Sequence, residues 1–123
     1  MPLTKKVTYI KEPTDLQCGQ AVLAMLTGKT VEEIISEVGT ERETTLKMMF
    51  SCLESNGISV DRERVLVQNK SQLPKVCILS LETPRCWHWS LYFNGVFYDP
   101  EHGIMDDFPK SSRKYYWQIN ENK

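Results

Sequence analysis

Apolar residues recur along this chain with two periods, three to four residues in its first half and two in its second. Cys18, Ala21, Val22, Met25 and Leu26 fall at helical spacing, and Gly28 closes that helix as a C-terminal glycine. Asp15 stands where an N-cap belongs, which makes Cys18 about the third helical residue. A second helix opens on the capping box Thr30-Val31-Glu32-Glu33, turns Val31, Ile34, Ile35 and Val38 inward, and ends at Gly39. A third covers roughly 43–55, with Leu46, Met49, Phe50 and Leu53 along one face and Asn56-Gly57 as its stop. Ahead of the first helix, Lys6–Ile10 reads as a short strand and Pro13-Thr14 as a turn.

The period-two half reads as strands over Ile58–Val60, Arg64–Val67, Val76–Leu81, Trp87–Phe93, Val96–Asp99 and Tyr115–Ile119, with a polar loop from Gln68 to Leu73. Val76–Leu81 is almost continuously apolar, as a central strand is, and Asn94-Gly95 is a strong two-residue hairpin signal. Helices first and antiparallel strands after give an α+β fold in one domain spanning 1–123. The hairpin turn pairs Phe93 with Val96, so Ser90 lies opposite Asp99. It also puts His88, Ser90, Tyr92, Phe97 and Asp99 on one face, with Trp89, Leu91, Val96 and Tyr98 on the other. His88 and Asp99 then become diagonal neighbours, roughly 7–8 Å apart at the backbone.

Two pieces of candidate chemistry follow. Cys18 sits at a helix mouth, where unsatisfied N–H groups and the helix dipole favour a thiolate, and Gly19 beside it leaves room for a substrate backbone. A carboxylate on one imidazole nitrogen of His88 fixes the tautomer and leaves the other nitrogen as a base. The plainer alternatives are a core cysteine, and a strand histidine followed by a strand-ending Asp99-Pro100 turn. Trp87 and Trp89 either wall a cleft or pack within the sheet, and His102 reads as exposed.

Composition narrows the classes. A net charge of −1 on 123 residues leaves no basic footprint for nucleic acid, and no apolar run approaches a membrane span or a signal peptide. The expectation is a cytoplasmic protein with Cys18, Cys52, Cys77 and Cys86 as free thiols. Without a CxxC pair the chain carries no structural zinc motif, and no metal or cofactor is implied.

Taken together, Cys-Gly-x-Ala-x-Leu-Ala-Met-Leu at 18–26, the His-aromatic strand at 88–93 and Asp-Pro at 99–100 resemble papain-like cysteine peptidases. They are most similar to the peptidases that process bacteriocin leaders after a double glycine, and to their free-standing relatives. The resemblance extends over nearly the whole chain. It implies a papain-like fold, in which an N-terminal helical layer carrying the cysteine packs on a C-terminal antiparallel sheet carrying His and Asp. It also implies a catalytic triad of Cys18, His88 and Asp99 acting on a peptide or protein substrate, beside which the residues' own chemistry places Gly19, Trp87 and Trp89. One position departs from the family. Where its members carry an oxyanion-binding glutamine, six residues before the cysteine, this chain has Glu12. An ionised Glu12 repels an oxyanion, whereas a protonated one can donate to it; Gln17 and the backbone N–H of Cys18 are the other candidate donors. The activity implied is thiol-dependent hydrolysis of a peptide or amide bond. The alternatives are a papain-like binding module with impaired chemistry, and an amidase or acyltransferase using the same triad. Substrate identity and oligomeric state are not written in the pattern.

Overall fold

A computed structural model describes residues 7–120 of the chain. Among these residues three helices precede an antiparallel sheet of seven strands, the α+β order expected. The helices are α1 (Cys18–Thr27), α2 (Val31–Val38) and α3 (Leu46–Ser55). The strands are β1 (Ser59–Val60), β2 (Val65–Val67), β3 (Val76–Glu82), β4 (Trp87–Phe93), β5 (Val96–Asp99), β6 (Gly103–Met105) and β7 (Lys114–Asn120). Their order across the sheet is β1-β7-β3-β4-β5-β6, with β2 also paired to β7.

Local chemistry explains most of the boundaries. Thr30 and Glu33 form the capping box, with the Glu33 N–H donating to the threonine hydroxyl at 3.1 Å and the Thr30 N–H to the glutamate at 2.9 Å. Thr45 accepts the Met48 N–H and so starts α3 later than the residue 43 expected. The Asn94-Gly95 turn has both central residues at positive φ, 49° and 89°, and it sets the register Phe93↔Val96, Tyr92↔Phe97 and Leu91↔Tyr98. The short strand β6 lacks an apolar alternation strong enough to be read from sequence; pairing with β5 makes it a strand.

Two expectations at the N-terminus are corrected. Lys6 lies outside the described residues, and 7–10 are irregular rather than a strand. Asp15 is no N-cap: Gln17 precedes α1, no side chain caps it, and Cys18 is its first residue. Thr14 takes over the local bonding, its carbonyl accepting the Gln17 N–H at 3.1 Å and its hydroxyl the Leu16 N–H at 3.3 Å, while the Asp15 carboxylate pairs with Arg85 at 3.1 Å.

Both faces of the sheet are covered, which is why β3 is apolar almost throughout. Val22, Leu23 and Leu26 of α1, Ile34 of α2, and Met49, Phe50 and Leu53 of α3 pack on Ile78, Leu91, Phe93, Trp117 and Ile119. A second cluster on the other face joins Cys77, Leu79, Leu81, Tyr92 and Phe97 to Leu73, Met105, Phe108 and Tyr116. The β4–β5 hairpin therefore sends Leu91 toward the helices and Tyr92, Phe97 and Asp99 away from them. The site lies at the end of this hairpin, where β4 and β5 part. No described helix is long and apolar enough to cross a membrane.

Candidate active site

The β4–β5 ladder stops for a covalent reason. Continuing the register past Ser90 opposite Asp99 would set Trp89 against Pro100, which has no N–H to give. The carbonyl of Pro100 instead accepts the N–H of Glu12 at 3.0 Å, and the freed N–H of Trp89 donates to Sγ of Cys18 at 3.4 Å. One missing donor thus opens a gap that admits the mouth of α1 on one side and the segment carrying Glu12 on the other. Tyr9 fastens that segment by donating its hydroxyl to the Asp99 carbonyl at 2.6 Å.

Within the gap, Sγ of Cys18, a ring nitrogen of His88 and a carboxylate oxygen of Glu12 lie within 4.8 Å of one another. Nε2 of His88 is 2.9 Å from Oδ1 of Asp99, and both side chains are buried. A carboxylate only accepts, so Nε2 carries the proton and Nδ1 is the nitrogen left for the thiol. The hairpin geometry expected for His88 and Asp99 is present.

Asp99 is fully buried yet well satisfied. Its Oδ1 also accepts the backbone N–H groups of Glu101 and His102 and a ring N–H of His102, each at 3.0 Å, and its Oδ2 accepts the Ser90 hydroxyl at 2.9 Å. Burial alone would raise its pKa, but the His88 hydrogen bond and charge, followed by the His102 and Ser90 bonds, bring it down to about 2. For His88, burial opposes the charged ring, whereas the hydrogen bonds to Asp99 and Cys18 favour it and push its pKa up to about 10. The pair is built to hold an imidazolium against a carboxylate.

Glu12 is 8% exposed, and its Oε1 is a buried oxygen without a hydrogen-bond partner among the described residues. Burial raises its pKa, opposed by the charge of His88 and reinforced by Glu101 and Asp99. Three other expectations change. Gln17 does not face the thiol: its side-chain amide donates to the Glu41 carbonyl at 3.0 Å, tying α1 to the 40–42 loop. Gly19 opens no space for substrate; a Cβ there would lie 1.9 Å from Oγ1 of Thr44 and 3.1 Å from Cδ1 of Trp89. Trp89 is a packing residue whose ring meets Trp117 at 5.7 Å and donates to the Thr44 carbonyl at 3.4 Å.

Trp87, by contrast, is 46% exposed, stacked on Tyr115 at 5.9 Å, with the Arg113 guanidinium over its ring at 5.4 Å. Arg85 links the loops around the cysteine, reaching Asp15 at 3.1 Å and Glu101 at 3.3 Å. His102, exposed as expected, nonetheless bonds Asp99. Its contribution, like those of Tyr9 and Thr44, carries no spacing signal in the sequence. All four cysteines are free. No protein-family model matches this chain, and no curated protein matches it.

Proposed function

We propose that the chain is a papain-like thiol hydrolase acting on a peptide or amide carbonyl. The observation that carries this reading is the thiol of Cys18 at a helix mouth against His88, whose far nitrogen is bound to buried Asp99. Thiolate Sγ attacks the carbonyl carbon, and the tetrahedral oxyanion meets the backbone N–H of Cys18 in the uncapped first turn. The protonated Nδ1 of His88 gives its proton to the departing amine, leaving a thioester on Cys18. Water then attacks the thioester while His88 takes a proton from it; the acid leaves and the thiolate–imidazolium pair is restored. Asp99 holds the ring and its tautomer throughout, as a positioning residue.

Glu12 stands where the resembling family places its oxyanion glutamine. Burial favours the protonated acid, which donates as an amide does. The hydrolase therefore works best on the acid side, where Glu12 keeps its proton. The test is a burst of product from an activated acyl substrate, with the acyl group located on Cys18 by mass spectrometry and the burst lost in Cys18→Ala. Absence of both burst and adduct across the pH range would overturn the reading. Glu12 also motivates a second reading, a binding module that keeps the cleft without efficient chemistry, because an ionised carboxylate beside the thiol opposes an oxyanion. That reading expects Cys18→Ala to leave partner affinity unchanged.

A further inference from the structure

The orphan oxygen of Glu12 has a second chemical meaning. A carboxylate buried to this extent is costly unless it is protonated or faces a cation, and nothing among the described residues donates to its Oε1. A carboxylate oxygen of the same side chain lies within 4.8 Å of the Cys18 thiol and of a His88 ring nitrogen, giving one sulfur, one nitrogen and one oxygen donor on three separate segments. We propose that Glu12, Cys18 and His88 form a binding site for a zinc ion, which closes the thiol site when occupied.

The donor set selects the ion. A thiolate is a poor ligand for magnesium or calcium, whereas zinc accepts sulfur, nitrogen and oxygen together in tetrahedral sites. Bond lengths of about 2.0–2.3 Å place tetrahedral donors roughly 3.3–3.8 Å apart, so the three atoms need close by only about an ångström. Charge balances as well: thiolate and carboxylate bring two negative charges, His88 brings none once the ion has displaced its Nδ1 proton to solvent, and the ion cancels both. The surrounding bonds suit a ligand histidine, since Asp99 already accepts from Nε2 and fixes the ring with Nδ1 turned to the gap. Three protein ligands leave a fourth position for water. The sequence hides this site because its ligands lie at 12, 18 and 88, outside any zinc-finger spacing.

Zinc binding is a property of the geometry, but its effect on turnover rests on the hydrolase reading, and one experiment separates the two. The full chain is titrated with Zn²⁺ against a chromophoric chelator, and with Co²⁺ for its thiolate charge-transfer band, while Cys18 alkylation is followed with and without Zn²⁺. The expected result is one equivalent bound, a cobalt–thiolate band, Cys18 protected from alkylation, and affinity at least about tenfold lower in Glu12→Gln and in Cys18→Ser. No binding, no cobalt–thiolate band on the wild-type chain, or equal affinity in Glu12→Gln overturns the site. The band needs no variant, so a Glu12→Gln chain that fails to fold leaves the test intact. Alkylation in EDTA, compared between wild type and His88→Ala, reports the thiol–imidazole pair by itself. Rapid His88-dependent alkylation without zinc binding would sink the metal site alone, and zinc binding without it would sink the hydrolase alone.

Discussion

Oδ1 of Asp99 lies 2.9 Å from Nε2 of His88 and 3.0 Å from Nδ1 of His102, so a single buried oxygen bonds two imidazoles. His88 is enclosed and faces the thiol, whereas His102 is 41% exposed and faces solvent. The shared carboxylate positions the first ring and is itself steadied by the second. Asp99→Asn keeps the shape but can offer an N–H where His88 needs an acceptor. It is expected to lower Cys18 acylation by about 10²–10⁴-fold, whereas His102→Ala leaves the His88 bond in place and has a much smaller effect. Comparable losses in the two variants, measured by single-turnover kinetics, would contradict this division of roles.

Stability should fall away on both sides of mild acidity. Asp99 titrates at about 2 in the fold, below its unfolded value of about 3.9, so its contribution is whole above that value and is lost as pH drops toward 2. His88 titrates at about 10, above its unfolded value of about 6.5, so its contribution is whole below that value and is lost as pH rises through 10. Urea midpoints should therefore be highest between about pH 4 and 6.5 as far as this pair is concerned, and His88→Ala should flatten the alkaline limb. An alkaline limb that survives the substitution would belong to other groups.

Glu12→Gln is expected to stabilise the chain at neutral pH. Burial raises the folded-state pKa of Glu12, so the ionised side chain disfavours folding above its unfolded value, and the neutral amide does not. The gain comes from removing a buried charge, so it should be larger at about pH 7 than at pH 4, where the acid is mostly protonated in both states. Equal gains at both pH values would show that charge is not the cause. Under the hydrolase reading the same variant loses the decline in acylation that follows Glu12 ionisation in the wild type.

Alkylation should sort the thiols by environment. Burial, with Glu37 nearby, pushes the Cys52 thiol up to about 11, and burial alone raises Cys77 further. Neither should be labelled by iodoacetamide in the folded chain, whereas Cys18 reacts and slows by about tenfold or more in His88→Ala. Peptide mapping by mass spectrometry gives each rate separately. Cys18 labelling that ignores His88 would mean the two groups do not act as a pair.

Gly19→Ala tests how the helix is seated. The added methyl would meet Oγ1 of Thr44 at 1.9 Å, an overpacking expected to cost about 1–3 kcal/mol. Thr44→Ala removes that oxygen, so the double variant should lose less than the sum of the single losses. Strict additivity in chemical denaturation would place the strain elsewhere.

What was legible in the sequence follows chemical locality. The Thr30 capping box, the Asn94-Gly95 turn and the diagonal approach of His88 to Asp99 depend on neighbours in sequence or on one hairpin register, and all three are present. Asp15 and Gln17 misled because their partners, Arg85 and Glu41, come from distant loops and outcompete the local roles. Gly19 misled because glycine reads alike whether it makes room for a ligand or for Thr44. The helix carrying Cys18 was legible from its apolar spacing, yet nothing local says that Pro100 opens the ladder for its mouth.

The contacts gathered at the interrupted ladder also impose an order of assembly during synthesis. Trp89 meets Cys18 across 71 residues and Tyr9 meets Asp99 across 90, so the first contact waits for β4 and the second for β5 to emerge from the ribosome. Until then Cys18 rides on an unfinished chain with no imidazole beside it and no lid of packed sheet. In the nascent chain, therefore, the thiol of Cys18 is made well before the imidazole and the buried carboxylate that stand around it in the fold, and its folded environment is assembled from later residues reaching back to it.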